Sequence, residues 1–275
     1  MLKGILPIAK LSFGGWSDFQ LPGHGEAYAD CGAWRYRGCL HVEDHVNDGL
    51  FESIAGKAYV EFYKRSCLRA VCPVCYEKWA GKEAGKIEYR LAAVGARYGR
   101  VIHVTVSPKI DDWAMPFEKL RAKAYSVAKK SGFKGGSCIF HPFREDDNGF
   151  WYFSPHFHLI GYGWIRGTKE GFESHGWVVK NHGIRDSVAA TALYQLSHCG
   201  IRKKTLAVTW FGKLSLNKLR VPKKEPEKHV CPACHRELVQ LYYLGKDEDL
   251  PDKEDGLGFW SPADNWMEKQ RGFYG

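Results

Sequence analysis

The stretch Ser154-Pro155-His156-Phe157-His158-Leu159-Ile160 alternates polar and apolar side chains, as a half-buried β-strand does. This alternation places His156 and His158 on one face, about 7 Å apart along the strand, and places Phe157 and Leu159 on the other face, in the core. Two imidazoles that point the same way can occupy adjacent positions on one divalent cation. For this motif alone, the alternative is a surface pair of histidines on a half-exposed strand.

The segments around this stretch predict an α+β protein built on an antiparallel hairpin. The hairpin consists of two strands, 136–144 and 150–162, joined by a polar turn. The other predicted elements are a helix over 78–98, a strand over 101–107, a helix from about 117 to 131, a short strand over 177–180 in a glycine-rich stretch, a helix from about 186 to 198 and a strand over 206–211.

The first hairpin strand offers a third ligand for the cation. His141 is our choice, and the alternative for it is a histidine that closes the strand before Pro142. His103 and Glu145 compete for this position. We rank both below His141 because His103 lies inside its own predicted strand and Glu145 belongs to the exposed turn.

Tyr194 is the candidate nucleophile. It lies opposite the apolar face of the helix predicted over 186–198, among small neighbours that leave its phenol accessible. A metal ion that polarises a scissile phosphate lowers the demand on a phenol whose free pKa is about 10. His198, one turn further on, is expected to orient or deprotonate Tyr194. The alternative is a surface tyrosine without a catalytic role.

We expect no secretory signal, because the apolar stretch at the start of the sequence is too short for one. Nine cysteines in such a chain favour metal ligands over disulfides. Cys72 and Cys75 form one C-x-x-C turn, whose two thiolates suit tetrahedral Zn²⁺. We expect Cys67 to complete this site together with either Cys39 or Cys31, and we rank His41 below them. Such closed sites are structural. The alternative is a set of free buried thiols.

Cys231 and Cys234 form a second C-x-x-C turn, with His229 and His235 nearby in the sequence. A cluster of Cys-Cys-His this tight is not a usual zinc site, so Cys31 or another unpaired cysteine is a candidate for the remaining ligands. The spacing leaves this pairing open, and the two cysteines predict either a second zinc ion or a shared site.

The charge of the chain favours a polyanionic partner. Forty Lys and Arg residues stand against 31 Asp and Glu residues, a formal charge of +9. The cluster Arg202-Lys203-Lys204 and Lys82 on the helix over 78–98 are the expected nucleic-acid contacts. Ten Trp, 15 Phe and 14 Tyr residues suit stacking on unpaired bases, although burial of each ring is an equal alternative. Because no apolar run is long enough to cross a bilayer, we expect a cytoplasmic protein without a membrane partner.

The motif His156-Phe157-His158, followed at a distance by a helical tyrosine, resembles that of the HUH endonuclease superfamily. The chain is most similar to the rolling-circle replication initiators (Rep) of plasmids, notably archaeal ones. Cys67 to Cys75 is similar to the cysteine-rich segment that precedes the nuclease core in such initiators, and the resemblance covers about residues 30 to 215. An acidic residue usually stands where His141 is found, so the resemblance implies an all-histidine triad.

The resemblance implies a fold and a mechanism. It implies a ferredoxin-like α+β core, whose central antiparallel sheet carries the histidines and one of whose helices carries the tyrosine, with small zinc-binding elements added. The expected regions are a zinc-binding region (1–85), the nuclease core (86–220), and a C-terminal zinc knuckle with an acidic tail (221–275). Mg²⁺ or Mn²⁺ is the implied catalytic ion, and Zn²⁺ is structural.

In the implied reaction the tyrosine attacks a phosphodiester of single-stranded DNA at an origin hairpin. It keeps the 5′ end as phosphotyrosine and frees a 3′ hydroxyl that primes synthesis. Related initiators often place a lysine near the tyrosine, and here that role falls to His198, Lys203 or Arg202. No G-x-x-x-x-G-K-[ST] loop occurs, so a host helicase and a polymerase are expected partners, beside the single-stranded and duplex DNA of the origin.

Three other functions remain open on the sequence. A relaxase or transposase would use the same chemistry on a different element. A zinc-ribbon DNA-binding regulator without catalysis would account for the cysteine pairs and the charge, but not for a strand-borne histidine pair followed by a helical tyrosine. A metal-dependent hydrolase would use activated water in place of Tyr194.

Overall fold

The computed structural model describes residues 18–45, 54–225 and 228–269, which form two compact units. Among these residues, unit 1 comprises 18–27 and 68–224, and unit 2 comprises 28–45, 54–67, 225 and 228–269. The strands are β1 Trp34–Cys39, β2 Lys57–Lys64, β3 Ile102–Ser107, β4 Phe133–Glu145, β5 Trp151–Gly163, β6 Val178–Ile184, β7 Val208–Gly212, β8 Val239–Tyr243, β9 Gly258–Pro262 and β10 Trp266–Glu268. The α-helices are α1 Tyr76–Ala92, α2 Phe117–Lys130, α3 Thr168–His175 and α4 Val188–Leu196.

Unit 1 is built on a five-stranded sheet with the order β6-β3-β5-β4-β7, in which every neighbouring pair is antiparallel. The long hairpin β4/β5, which the alternating pattern predicts, lies near its centre. Gly136 faces Gly161 across this hairpin, and a Cβ atom on either residue would lie 2.3 Å from a backbone carbonyl oxygen of the other strand. The close approach of the two strands therefore requires glycine at both positions.

The two faces of this sheet carry different side chains, because successive residues of a strand point to opposite sides. On one face, Phe157 and Leu159 of β5 and Val104 of β3 pack in one core cluster with α2. On the other face, Ile139 of β4 and Ile160 of β5 pack in a second cluster with α1 and α4. His141, His156 and His158 alternate with the residues of the first cluster, so they lie on the face that carries α1 and α4.

Three helices of unit 1 differ from the sequence predictions. Helix α1, predicted over 78–98, spans Tyr76–Ala92. Helix α3 lies in the glycine-rich stretch and was not predicted, because it buries none of its residues and so has no apolar stripe. It lies between Gly167 and Gly176, both in the left-handed conformation that glycine adopts readily. Helix α4, predicted from about 186 to 198, begins after Ser187, whose Oγ accepts a hydrogen bond from the Ala190 amide at 3.1 Å, and ends at Leu196.

Unit 2 is a second five-stranded sheet, with the order β10-β8-β1-β2-β9. Its core contains Ala58 and Val60 of β2, Leu241 of β8 and Trp266 of β10. The sequence assigns the two chain segments of this sheet to separate N-terminal and C-terminal regions, whereas in the structure β1 pairs with both β2 and β8. No α-helix in the described part of the chain is both long and apolar enough to span a membrane.

Candidate metal and nucleophile site

His141, His156 and His158 form a compact cluster on the hairpin β4/β5. His141 is the direct cross-strand partner of His156, and Ile139 is that of His158. One ring nitrogen from each histidine lies within 4.8 Å of those of the other two, and the ring centroids are 4.4 to 5.1 Å apart. All three side chains are buried. Three convergent imidazole nitrogens at these distances can hold one metal ion.

Hydrogen bonds orient two of these rings. His156 Nδ1 donates to the carbonyl oxygen of Ser154 at 2.7 Å, which leaves the Nε2 lone pair for a cation. His158 Nδ1 is 2.8 Å from His103 Nε2. Neither ring nitrogen of His141 makes a hydrogen bond of normal geometry within the described residues, although the backbone of Gln195 lies near the ring. A buried imidazole without such a partner is costly unless a ligand satisfies it.

Burial keeps the three rings neutral. Loss of hydration lowers the pKa of His156 to about 3, and the nearby guanidinium of Arg144 adds to the effect. The same loss of hydration, followed by repulsion from neighbouring histidines, lowers the pKa of His141 and of His158 well below the ordinary value. Neutral imidazoles are the form that binds metal, so the cluster is ready to coordinate a cation at neutral pH.

The two residues that compete with His141 lie outside the cluster. Glu145 is exposed at the end of β4. His103 is buried behind His158, where its ring stacks on that of His182 with centroids 4.5 Å apart, and Thr105 Oγ1 lies 2.8 Å from His182 Nε2. Burial, followed by repulsion from His182 and Arg185, lowers the pKa of His103 to about 3. These residues form a second layer behind the triad that sequence reasoning missed, since only the pairing of β3 with β5 and β6 brings them together.

Tyr194 and His198 lie beside the triad. The ring of His198 contacts that of His141 edge to face, with centroids 4.5 Å apart, and contacts that of Tyr194 at 4.8 Å. Tyr194 is 66% exposed, so its phenol is open to a macromolecular substrate. Burial lowers the pKa of His198, which is therefore neutral at pH 7 and able to accept a proton. The structure thus brings together the residues that the sequence analysis chose as candidate nucleophile, candidate base and candidate metal ligands.

The first C-x-x-C turn, Cys72 and Cys75, lies in unit 1, and both of its side chains are buried. Its two sulfur atoms lie within 4.8 Å of each other and can supply two ligands to a metal ion such as Zn²⁺. Cys39, one candidate for a further ligand of this turn, lies in unit 2, where its sulfur atom is 3.5 Å from that of Cys234. The completion of the first turn by Cys67 and Cys31 stays a prediction.

The predicted nucleic-acid contacts differ in their surroundings. The side chains of Lys82, Lys203 and Lys204 are exposed. The guanidinium of Arg202 is already engaged, because it lies 3.5 Å from a carboxylate oxygen of Glu118 and stacks over the ring of Phe19. The three lysines are therefore better placed than Arg202 to contact phosphates.

The chain matches no protein-family model, and neither the curated proteins nor the solved structures contain a significant match to it. Its function is therefore inferred from the site itself.

Proposed function

We propose that this chain is a metal-dependent endonuclease of the HUH type, which nicks and rejoins single-stranded DNA at a replication origin and so initiates rolling-circle replication. The observation that carries the proposal is a series of ring contacts. It runs from His141 of the triad to His198, and from His198 to the exposed ring of Tyr194. A buried cation site, a neutral base and an accessible phenol within adjacent van der Waals contacts are the parts that tyrosine-mediated phosphoryl transfer requires.

The strand order supports the proposal. If β3, β4, β5 and β6 are counted as strands one to four, with α2 and α3 as the helical crossovers, the order is four-one-three-two. This is the order of a ferredoxin-like core with the pattern βαββαβ. In such a core both helical crossovers lie on one face of the sheet, and here α2 packs on one face while His156 and His158 of β5 lie on the other.

The donor set bears on the identity of the ion. Three imidazole nitrogens form a softer set than the carboxylates and water that Mg²⁺ prefers. Of the two expected ions, Mn²⁺ therefore suits His141, His156 and His158 better than Mg²⁺ does. Bound there, the ion would polarise a non-bridging oxygen of the scissile phosphate.

The protein side chains supply the remaining steps. The Tyr194 hydroxyl gives its proton to His198 as its oxygen forms a bond to phosphorus. The bond between phosphorus and the 3′ oxygen of the preceding nucleotide breaks, and that oxygen leaves as a hydroxyl with a proton taken from solvent water. The 5′ end stays on Tyr194 as a phosphodiester. Because one phosphoester replaces another, attack by a 3′ hydroxyl reverses the reaction and rejoins the strand.

A denaturing-gel assay tests the proposal. The full chain is incubated with single-stranded DNA that contains a hairpin and is labelled at its 3′ end, in the presence of Mn²⁺. Wild type is expected to give a labelled band at the mass of a protein–DNA adduct, and Tyr194→Phe and His156→Ala are expected to give none. Tyr152→Phe is the matched control, since Tyr152 is also an exposed tyrosine of unit 1 but is not part of the ring contacts that join the triad to Tyr194. It should form the adduct as wild type does.

The other outcomes identify the competing functions. Cleavage without an adduct, unchanged in Tyr194→Phe, would mean that water is the nucleophile and the chain is a hydrolase. Binding of DNA without cleavage of any substrate would favour a zinc-ribbon regulator. Adduct formation that needs no origin-like hairpin and ends in transfer to a second DNA molecule would favour a relaxase or transposase.

A further inference from the structure

The second C-x-x-C turn of the chain, Cys231 and Cys234, lies in unit 2 near two side chains from an earlier segment of that unit. Cys39 and His45 lie with Cys231 and Cys234 so that one ligand atom from each is within 4.8 Å of the others. Cys39, His45 and Cys231 are buried, with 1%, 3% and 0% of their surfaces exposed. Three sulfurs and one imidazole nitrogen are thus gathered at one point of the fold.

The distances fit a tetrahedral zinc ion. With bonds of about 2.3 Å to sulfur and about 2.05 Å to nitrogen, a tetrahedron separates two sulfurs by roughly 3.8 Å and a sulfur from a nitrogen by roughly 3.6 Å. The Sγ atoms of Cys39 and Cys234 are 3.5 Å apart, and Cys231 Sγ is 3.4 Å from His45 Nε2. A modest lengthening of both distances would make room for the ion.

The His45 ring is oriented as a zinc ligand is. Its Nδ1 donates a hydrogen bond to the carbonyl oxygen of Lys57 at 2.8 Å, so the lone pair is on Nε2, the nitrogen that faces the sulfurs. A hydrogen bond from the second ring nitrogen to a backbone carbonyl is the usual way in which proteins hold a metal-binding histidine. The ring also packs edge-on against Trp260, with centroids 5.1 Å apart.

The backbone of the C-x-x-C turn completes the site. The amides of Ala233 and Cys234 donate to the sulfur of Cys231, and the amide of Arg236 donates to that of Cys234. His235, which follows the turn, has a left-handed φ of 59°, and its amide donates to the carbonyl oxygen of Cys231 at 2.9 Å. Amides directed at sulfur stabilise thiolates, which are the ligands that zinc requires.

We propose that Cys39, His45, Cys231 and Cys234 form a structural zinc site that joins the two segments of unit 2. Cys39 and Cys234 are separated by 195 positions and His45 and Cys231 by 186, so the ion closes a very long loop. It ties the end of the central strand β1 to the segment that leads into β8, which pairs with β1. All four protein positions are occupied, so the site is closed to substrate and its role is to stabilise the unit. This proposal does not depend on the nuclease function.

Metal counting on the full chain tests the site. The protein is purified, dialysed against EDTA to remove weakly bound metal, denatured, and assayed for zinc by inductively coupled plasma mass spectrometry. His45→Ala and Cys234→Ser should each contain one zinc ion per chain fewer than wild type. His45→Cys should keep the wild-type content, because it supplies a fourth thiolate.

The neighbouring histidines are matched controls. His229 and His235 belong to the same C-terminal segment but are outside the cluster, so His229→Ala and His235→Ala should keep the wild-type zinc content. Loss of zinc in either control but not in His45→Ala would overturn the proposed ligand set, as would a His45→Ala variant that keeps all of its zinc.

A second measurement on wild type avoids the risk that a variant fails to fold. Native protein is treated with an alkylating reagent before and after zinc is withdrawn with a strong chelator, and the labelled cysteines are mapped by mass spectrometry. Cys234, which is only partly buried, should become reactive when zinc is withdrawn. Equal labelling in both states, or a Cys39–Cys234 disulfide in the unreduced protein, would refute the proposal.

Discussion

His103 offers the sharpest test of how the triad is organised. If His158 binds metal through Nε2, its Nδ1 carries the proton and donates to His103 Nε2, which is 2.8 Å away. His103→Ala removes this acceptor from a buried position. Removal of a partner behind a metal ligand typically costs 10- to 100-fold in metal affinity, which corresponds to about 1.4 to 2.7 kcal/mol.

The structure narrows this range. Thr105 Oγ1 lies 3.3 Å from the same Nδ1 and can accept part of the hydrogen bond when His103 is removed. We therefore expect a loss of roughly tenfold for His103→Ala and of nearly 100-fold for His103→Ala combined with Thr105→Val. Isothermal titration of the full chain with Mn²⁺, after removal of weakly bound metal, measures both values.

A matched control separates this effect from loss of packing. Val104 is the next residue of β3 and is fully buried, but its side chain points to the opposite face of the sheet. Val104→Ala should lower the free energy of unfolding by about 1 to 2 kcal/mol and leave the Mn²⁺ affinity unchanged. If the double variant binds Mn²⁺ as tightly as wild type does, the second layer does not orient His158 and this reasoning is wrong.

Four further predictions concern the triad, two buried positions of unit 1 and its basic surface. First, the free energy of unfolding without bound metal should be highest above pH 6.5 and should fall as the pH drops from 6.5 toward 3. The histidines of the triad resist protonation in the folded state, so only the unfolded chain takes up these protons. Each histidine contributes about 1.4 kcal/mol per pH unit, and urea unfolding that is unchanged between pH 7.5 and 5.5 would contradict this. Second, Asp112→Ala should destabilise unit 1 by about 2 to 3 kcal/mol in thermal or urea unfolding. The change removes the carboxylate that contacts the buried indole N–H of Trp177 at 2.5 Å and the ammonium of Lys123 at 2.7 Å. Asp111→Ala, at an exposed neighbouring position, is the control. Third, Gly136→Ala should lower the free energy of unfolding by about 3 kcal/mol, because its Cβ would meet the Ile160 carbonyl oxygen, and should weaken Mn²⁺ binding. Gly81→Ala is the control, since a Cβ at this position of α1 meets no other atom. It should leave the free energy of unfolding unchanged or raise it, and leave Mn²⁺ binding unchanged. Fourth, replacing Lys203 and Lys204 together by Ala should reduce the slope of log affinity against log salt for single-stranded DNA by about 1.4 if each contacts one phosphate, and an unchanged slope in fluorescence anisotropy titrations would exclude such contacts.

Local patterns in the sequence predict much of unit 1. The strict alternation around His156 and His158 matches the period of a strand, and the polar turn between two such runs predicts their antiparallel pairing. The structure also has helices α2 and α4 where the sequence predicts helices, over about 117–131 and 186–198. Helix α3 lacked any such signal because none of its residues is buried.

Contacts between distant segments were beyond this reasoning. Nothing near Cys231 and Cys234 in the sequence indicates Cys39 and His45 as their neighbours, since the approach depends on the pairing of β1 with β8. His229 and His235, the histidines nearest in the sequence, are exposed and outside the cluster. The layer of His103, Thr105 and His182 depends likewise on β3 lying between β5 and β6.

The sequence by itself determined which side chains share a face of an element, because the periods of 2.0 and 3.6 residues are properties of the backbone and act over a few residues. It therefore specified the histidine pair on β5, the third histidine on its hairpin partner and the exposed tyrosine on α4. Only the tertiary structure decided which faces meet. The contact of His198 with His141 and the gathering of four ligands in unit 2 come from packing and strand pairing over long separations, and no local period encodes these.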